Sequence, residues 1–155
     1  MPVNNPIPER SIWVQPHRVV GTNAVLASSY DRYASSLLAN NEDDYAYFTV
    51  AIPTGFTAIT KAVIALIPLA TGNLRLYAWT RFAANGEAYD KHGATIAEAS
   101  IAVTAGEIKE YDISSALSGL LAGDYLGVFF TRSGSNILDR SEGDLHVLGL
   151  LIEYV

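Results

Sequence analysis

The 155-residue chain carries 16 acidic against 10 basic residues, a formal charge of −6; half of it is hydrophobic and it has no cysteine. That length suits one domain with its own core, the missing thiols exclude a disulfide framework, thiolate zinc sites and a cysteine nucleophile, and the negative balance disfavours a nucleic-acid partner. Polar residues interrupt each apolar run before the ~18 residues a membrane helix needs, so a soluble chain with no membrane partner is expected, and the first ten residues, with three prolines and two asparagines, do not read as a signal peptide.

Residues 1–44 differ from the rest. Pro2, Pro6, Pro8 and Pro16 interrupt regular ladders, and the segment ends in the polar cluster Asn40 to Asp44. It reads as an extended N-terminal arm, with short strands at Ser11 to Gln15 and His17 to Val20 and a turn of helix at Tyr30 to Leu38. An arm holding Ile7, Ile12, Trp13 and Val14 is suited to strand exchange with a neighbour, Trp13 being its expected anchor; an ordinary first strand with a frayed start is the alternative.

From Tyr45 to Val155 the pattern is that of a β-sandwich. Ala46, Phe48, Val50 and Ile52 alternate with Tyr45, Tyr47 and Thr49, the signature of a half-buried strand. Ile59 to Ile67 is apolar on both faces and rich in β-branched residues, which favours a central strand over a helix. A third strand turns Leu74, Leu76, Ala78 and Phe82 inward and Arg75, Tyr77, Trp79 and Arg81 outward, and Asn85-Gly86 supplies a turn after it. Strands at Ile96 to Thr104 and Glu107 to Ile113 follow, then a short helical turn capped by Asp112 or Ser114, then strands at Asp124 to Arg132 and Asp144 to Val155 around a polar loop. Seven or eight strands without a βαβ rhythm define an all-β class.

Little in the chain points to chemistry, and no catalytic residue, metal site or cofactor is expected. His17, His92 and His146 lack the spacing that puts two ligands on one helix face, and each reads as a surface histidine. Asp90-Lys91-His92 has no accompanying serine elbow. Glu42-Asp43-Asp44 and the set Asp139, Glu142, Asp144 offer oxygen ligands for Ca²⁺ but lack the EF-hand pattern, so both read as solvated acidic turns. The informative feature is the row Arg75, Tyr77, Trp79, Arg81. Alternate residues of a strand stand about 7 Å apart on one face, and Tyr, Trp and Arg dominate interface hot spots. Such a row serves subunit or arm contact, glycan stacking, or packing within the domain. Seven of the ten basic residues are arginine, which also suits contacts between proteins.

The sequence AGDYLGVFFTR at Ala122 to Arg132, then Asp139, then GDLHVLGLLIEY at Gly143 to Tyr154 resembles the ending of small jelly-roll structural proteins of tailed bacteriophages, the capsid-decoration and head-fibre type. The resemblance spans roughly Tyr45 to Val155 and leaves the arm unmatched. It implies an antiparallel jelly-roll β-sandwich that is not an enzyme, a homotrimer located in the virion, with capsid or tail proteins as partners. A carbohydrate-binding or receptor-binding module using the aromatic and arginine strand face is the alternative, with a glycan as partner.

Overall fold

A computed structural model describes residues 9–155; the arm residues Pro2, Pro6, Ile7 and Pro8 lie outside that range. Eleven strands form two antiparallel sheets: β1 (Arg10–Val14), β2 (Arg18–Val20), β3 (Val25–Tyr30), β4 (Tyr33–Leu38), β5 (Asp43–Ala51), β6 (Ile59–Pro68), β7 (Gly72–Ala83), β8 (Thr95–Val103), β9 (Lys109–Asp112), β10 (Tyr125–Ser133) and β11 (Leu145–Tyr154). The first sheet runs β3-β4-β11-β6-β9, with β1 also on β11; the second runs β2-β5-β10-β7-β8. Taken alone, β4 to β11 give the order β4-β11-β6-β9 facing β5-β10-β7-β8, which is the double Greek key of a jelly roll. The fold class read from the sequence is the fold of the molecule.

Period-two burial decides which way each strand faces. Along β5 the residues Ala46, Phe48 and Val50 are buried while Tyr47, Thr49 and Ala51 are exposed. Inward residues of both sheets, among them Phe48, Leu66, Leu74, Leu126, Phe130 and Leu150, make one continuous core. As the apolar run at Ile59 to Ile67 suggests, β6 is central, held between β11 and β9, with Val63 and Ile67 of its outer face buried as well. Inward-facing Thr80 is satisfied by donating to the Ala116 carbonyl at 2.6 Å, which fastens the 3₁₀ turn Ser114–Leu117 over the core.

Residues 9–44 lie on both sheets of the same domain. β1 runs antiparallel along the second half of β11, from Arg10 opposite Tyr154 to Val14 opposite Leu150. The chain then crosses at buried Pro16 to place β2 on β5 and returns as the hairpin β3-β4 on the first sheet. The helical turn expected at Tyr30 to Leu38 is instead this hairpin: Asp31 takes positive φ (50°) in a tight turn, and β4 continues as a strand paired with β3 and β11. Its serines find partners there, Ser36 Oγ donating to the Leu26 carbonyl at 2.6 Å. The Asn85-Gly86 turn exists, closed by Glu87 N to the Ala84 carbonyl at 3.1 Å, yet the returning strand begins only at Thr95.

One end of the sandwich is closed by a buried ion pair. Arg132 is the last inward residue of β10 before the loop and is fully buried. Its Nε and Nη2 donate to the two oxygens of Asp139 at 3.2 and 3.1 Å. Nη1 reaches the Gly143 carbonyl at 2.6 Å, and Nη2 reaches the Ser141 carbonyl at 2.7 Å and Asn40 Oδ1 at 3.3 Å. Asp139 in turn accepts from the backbone N of Arg75 at 3.1 Å, which joins the loop to β7. Removing one partner of such a pair strands the other charge. Asp139→Ala is therefore expected to cost about 3–5 kcal/mol in urea denaturation, and the double variant Arg132→Met/Asp139→Leu to cost less than that single change.

Candidate functional site

The sandwich has two outer faces, and the sequence-derived residues are divided between them. Trp13 lies on the first sheet with its indole against Gly149, where a β-carbon would come within 2.6 Å of Cζ2, and it stays half exposed. Arg75, Tyr77, Trp79 and Arg81 all face outward from β7 in the second sheet. The fold therefore does not bring Trp13 to the row.

The row itself is of two kinds. Arg75 is engaged within the domain: Nη1 donates to Ser100 Oγ at 3.1 Å and Nε lies 3.5 Å from Glu98. Tyr77 is half-buried, its ring 6.1 Å from that of Phe129. Trp79 and Arg81 are open, with Trp79 45% exposed. The Arg81 guanidinium stacks over the Trp79 ring at 4.9 Å, a cation–π contact that fixes both side chains.

Strand order supplies what the row lacks. Because β10 lies between β5 and β7, Trp79 stands in register with Phe129 and Tyr47, and Arg81 with Gly127 and Thr49. Tyr47 and Trp79 are thus two strands apart, about 10 Å between backbones, with Gly127 next to the strip between them. Tyr47, Thr49, Trp79, Arg81, Gly127 and Phe129 line an open groove of about 280 Å³, just below the ~300–1,000 Å³ usual for small-ligand sites. Gly127 forms the floor. Its backbone is not left-handed, and a β-carbon there would meet only the Arg81 carbonyl, at 3.9 Å, so the absent side chain serves the hollow and no backbone constraint.

Packing behind the groove keeps its walls in place. The Phe129 ring contacts Tyr45 at 5.2 Å, stacked, and Tyr47 at 5.1 Å, tilted. Arg18, carried by β2, lies 5.7 Å from the Tyr47 ring centroid. Tyr47, Phe129, Gly127 and Arg18 are absent from the sequence-derived set. The alternation Tyr125, Gly127, Phe129 on an apolar strand already marked an aromatic outer face interrupted by glycine, but only the strand order places it beside Trp79.

The other polar candidates are engaged locally. His17 Nε2 meets the Thr49 carbonyl at 3.0 Å, and His92 stacks on Phe82 at 5.5 Å. His146, expected at the surface, is buried: its Nδ1 pairs with Ser35 Oγ at 2.7 Å beneath the Tyr30 ring, and burial lowers its pKa. With both residues under 10% exposed, this serine–histidine pair fastens β4 to β11 and presents no nucleophile to solvent. Asp139 is not in a solvated turn but in the Arg132 pair, and Asp144 accepts from the backbone N of Asn40 at 3.0 Å.

Glu42-Asp43-Asp44 is likewise parted. Glu42 accepts from Asn23 N at 2.8 Å, Asp43 from Ser135 Oγ at 2.7 Å, and Asp44 from Ala39 N at 2.6 Å. Asp44 is fully buried with Oδ1 unpartnered, contrary to its reading as solvated.

No family model matches the chain, and no curated protein matches it in sequence. Among solved structures it is similar to TmCBM61 in complex with β-1,4-galactotriose, at 13% identity over 95% of this chain and 88% of that one, TM-score 0.37. The glycoside hydrolase domain of Endo-D from Streptococcus pneumoniae R6 matches at 14% identity over 93% of this chain and 21% of that one, TM-score 0.34. The CENP-C cupin domain of Drosophila melanogaster matches at 12% identity over 85% and 74%, TM-score 0.17. Similarities this weak transfer nothing to the present chain.

Burial pushes the Asp44 carboxyl up to about 6, with neighbouring Glu42 adding to the rise against the opposing hydrogen bond from Ala39. A carboxyl whose folded pKa lies above its ordinary 3.8 lends stability that is full in acid and is lost as pH rises through about 6. Asp44→Asn keeps the acceptor for Ala39 and removes that loss. Its melting temperature is expected to exceed that of the parent by about 2–5 °C at pH 7.5, with the gap closing towards pH 4, in parallel thermal melts.

Proposed function

We propose that this protein is a non-catalytic binding module that takes a carbohydrate in the groove of its second sheet. The observation that carries this reading is the hollow over Gly127, between Thr49 and Arg81, bordered by the exposed aromatic residues Tyr47 and Trp79 with Phe129 between them. Sugar rings have apolar C–H faces and equatorial hydroxyls. Aromatic side chains cover the faces, while the Thr49 hydroxyl, the tyrosine hydroxyl and the Arg81 fork are placed at the rim for the hydroxyls. A hollow of about 280 Å³ suits one or two rings of a chain whose remainder extends into solvent.

The test is a glycan array probed with the labelled full chain, followed by calorimetry on the glycans retained. Trp79→Ala is expected to weaken binding at least about tenfold, the equivalent of 1.4 kcal/mol. Gly127→Val is expected to abolish binding while leaving the melting temperature equal or higher, because a strand interior favours valine over glycine. Retention of no glycan by the parent chain overturns the reading.

A second reading rests on the other face. Trp13, Val25 and Tyr33 are each between 44 and 50% exposed on β1, β3 and β4, and β3 is an edge strand. Apolar surface beside a free edge supports self-association, and in this reading the chain is a homotrimeric structural component of a virion that contacts capsid or tail proteins. Light scattering on a size-exclusion column is expected to give the mass of three chains; a monomer over a wide concentration range overturns it.

A further inference from the structure

The groove is positively charged within a negatively charged protein. The chain as a whole carries −6, yet the only ionisable side chain with full charge among the groove-lining residues is Arg81, and Arg18 stands at the Tyr47 rim. Among the described residues no aspartate or glutamate lines the hollow. The basic side chains Lys61, Arg75 and Arg132 each have a carboxylate within 4 Å. Arg81 and Arg18, among the described residues, have none; Arg10, Lys91, Lys109 and Arg140 share that state, and what sets Arg81 and Arg18 apart is their place beside the groove's aromatic rings. The only hydrogen bond of the Arg81 guanidinium among these residues goes to the Thr80 carbonyl at 3.3 Å, which leaves most of its five donors free.

Both guanidiniums are already held in place. Arg81 is stacked on Trp79 and Arg18 lies over Tyr47, so little side-chain entropy remains to be lost when an anion arrives. A planar fork fixed beside an aromatic wall is arranged for bidentate pairing with a carboxylate. The hydroxyls of a neutral sugar accept hydrogen bonds from such a fork, but only an anion also pairs with its charge. A long polyanion, for its part, is repelled by the chain's net charge at a distance, which favours a short acidic segment recognised at close range.

We infer that the sugar accepted by the groove is acidic, a uronic acid that sits over Gly127 with its ring carboxylate paired to Arg81 and its carbon face against the aromatic border of Trp79, Phe129 and Tyr47. This rests on the carbohydrate reading of the groove and narrows it to a chemical class. Thr49, opposite Gly127 on the other side of the floor, then serves the ring hydroxyls, and Arg18 serves the carboxylate of the next unit.

Matched ligands separate the charge from the ring. Oligogalacturonate, oligomannuronate and hyaluronan oligosaccharides are titrated into the full chain by calorimetry, each beside its own methyl ester, together with neutral oligosaccharides and sulfated dextran. At least one acid is expected to bind about tenfold or more tightly than its ester, a difference of 1.4 kcal/mol. Arg81→Gln is expected to remove that preference, weakening binding of the acid about tenfold more than binding of its ester, without lowering the melting temperature. Esters or neutral oligosaccharides binding as well as the acids overturn the acidic-sugar assignment while the groove remains a glycan site. Sulfated dextran binding more tightly than any uronate overturns the carboxylate in favour of sulfate. Binding of none of these ligands, neutral ones included, overturns this assignment and the carbohydrate reading together.

Discussion

The guanidinium of Arg132 is the point on which this sandwich closes. A fully buried arginine is tolerated only when its charge is paired and its donors are occupied, and here the partners come from three separate stretches of chain: the turn after β4, the loop between β10 and β11, and, through Asp139, the backbone of β7. Satisfying one side chain therefore fixes where a long polar loop lies and how β10 is held at its end. The groove depends on this at one remove. Gly127 and Phe129 lie on the same strand as Arg132, and Trp79 and Arg81 lie on the strand whose Arg75 backbone N–H donates to Asp139.

Much of the framework could be read from period-two alternation. β5, β6 and β7 are legible because their inward residues are predominantly apolar, with Thr80 and Asp44 as exceptions, and because turn residues bound them. The short strands around Arg10–Tyr30 were harder, since pairing partners, and not composition, make a strand of Tyr33–Leu38 with its two serines. Burial of polar residues was the least legible feature. Arg132 and Asp139 are distinguishable from surface charges only once the loop folds back between the sheets, and His146 looked solvent-exposed because its partners, Ser35 and Tyr30, lie more than a hundred residues earlier.

The site shows the same division. Half of its wall was visible as Trp79 and Arg81 on one strand, because a row of large aromatic and cationic residues on an outer face is unusual in composition alone. The other half belongs to β5, and the floor to β10. A jelly roll places β10 between β5 and β7 although β6 to β9 intervene in the chain, so no local pattern joins Tyr47 to Trp79. Tyr77 and Arg75, equal members of the row by sequence, are set apart by their neighbours: one leans on Phe129, the other is held by Glu98 and Ser100.

Gly127 gives the groove an unusual relation to mutation. Most glycines with a fixed place in a fold are locked by backbone geometry, and their replacement damages the whole domain. This one is held by nothing except the space above it, since a β-carbon meets no close neighbour and the backbone is that of an ordinary strand. The depth of the hollow is thus a heritable variable set at a single codon and largely uncoupled from folding: alanine makes it shallower, valine or leucine fills it, and the sandwich beneath is unchanged. Divergent copies of this domain are free to gain, narrow or lose their ligand by one substitution, and a designer is free to do the same.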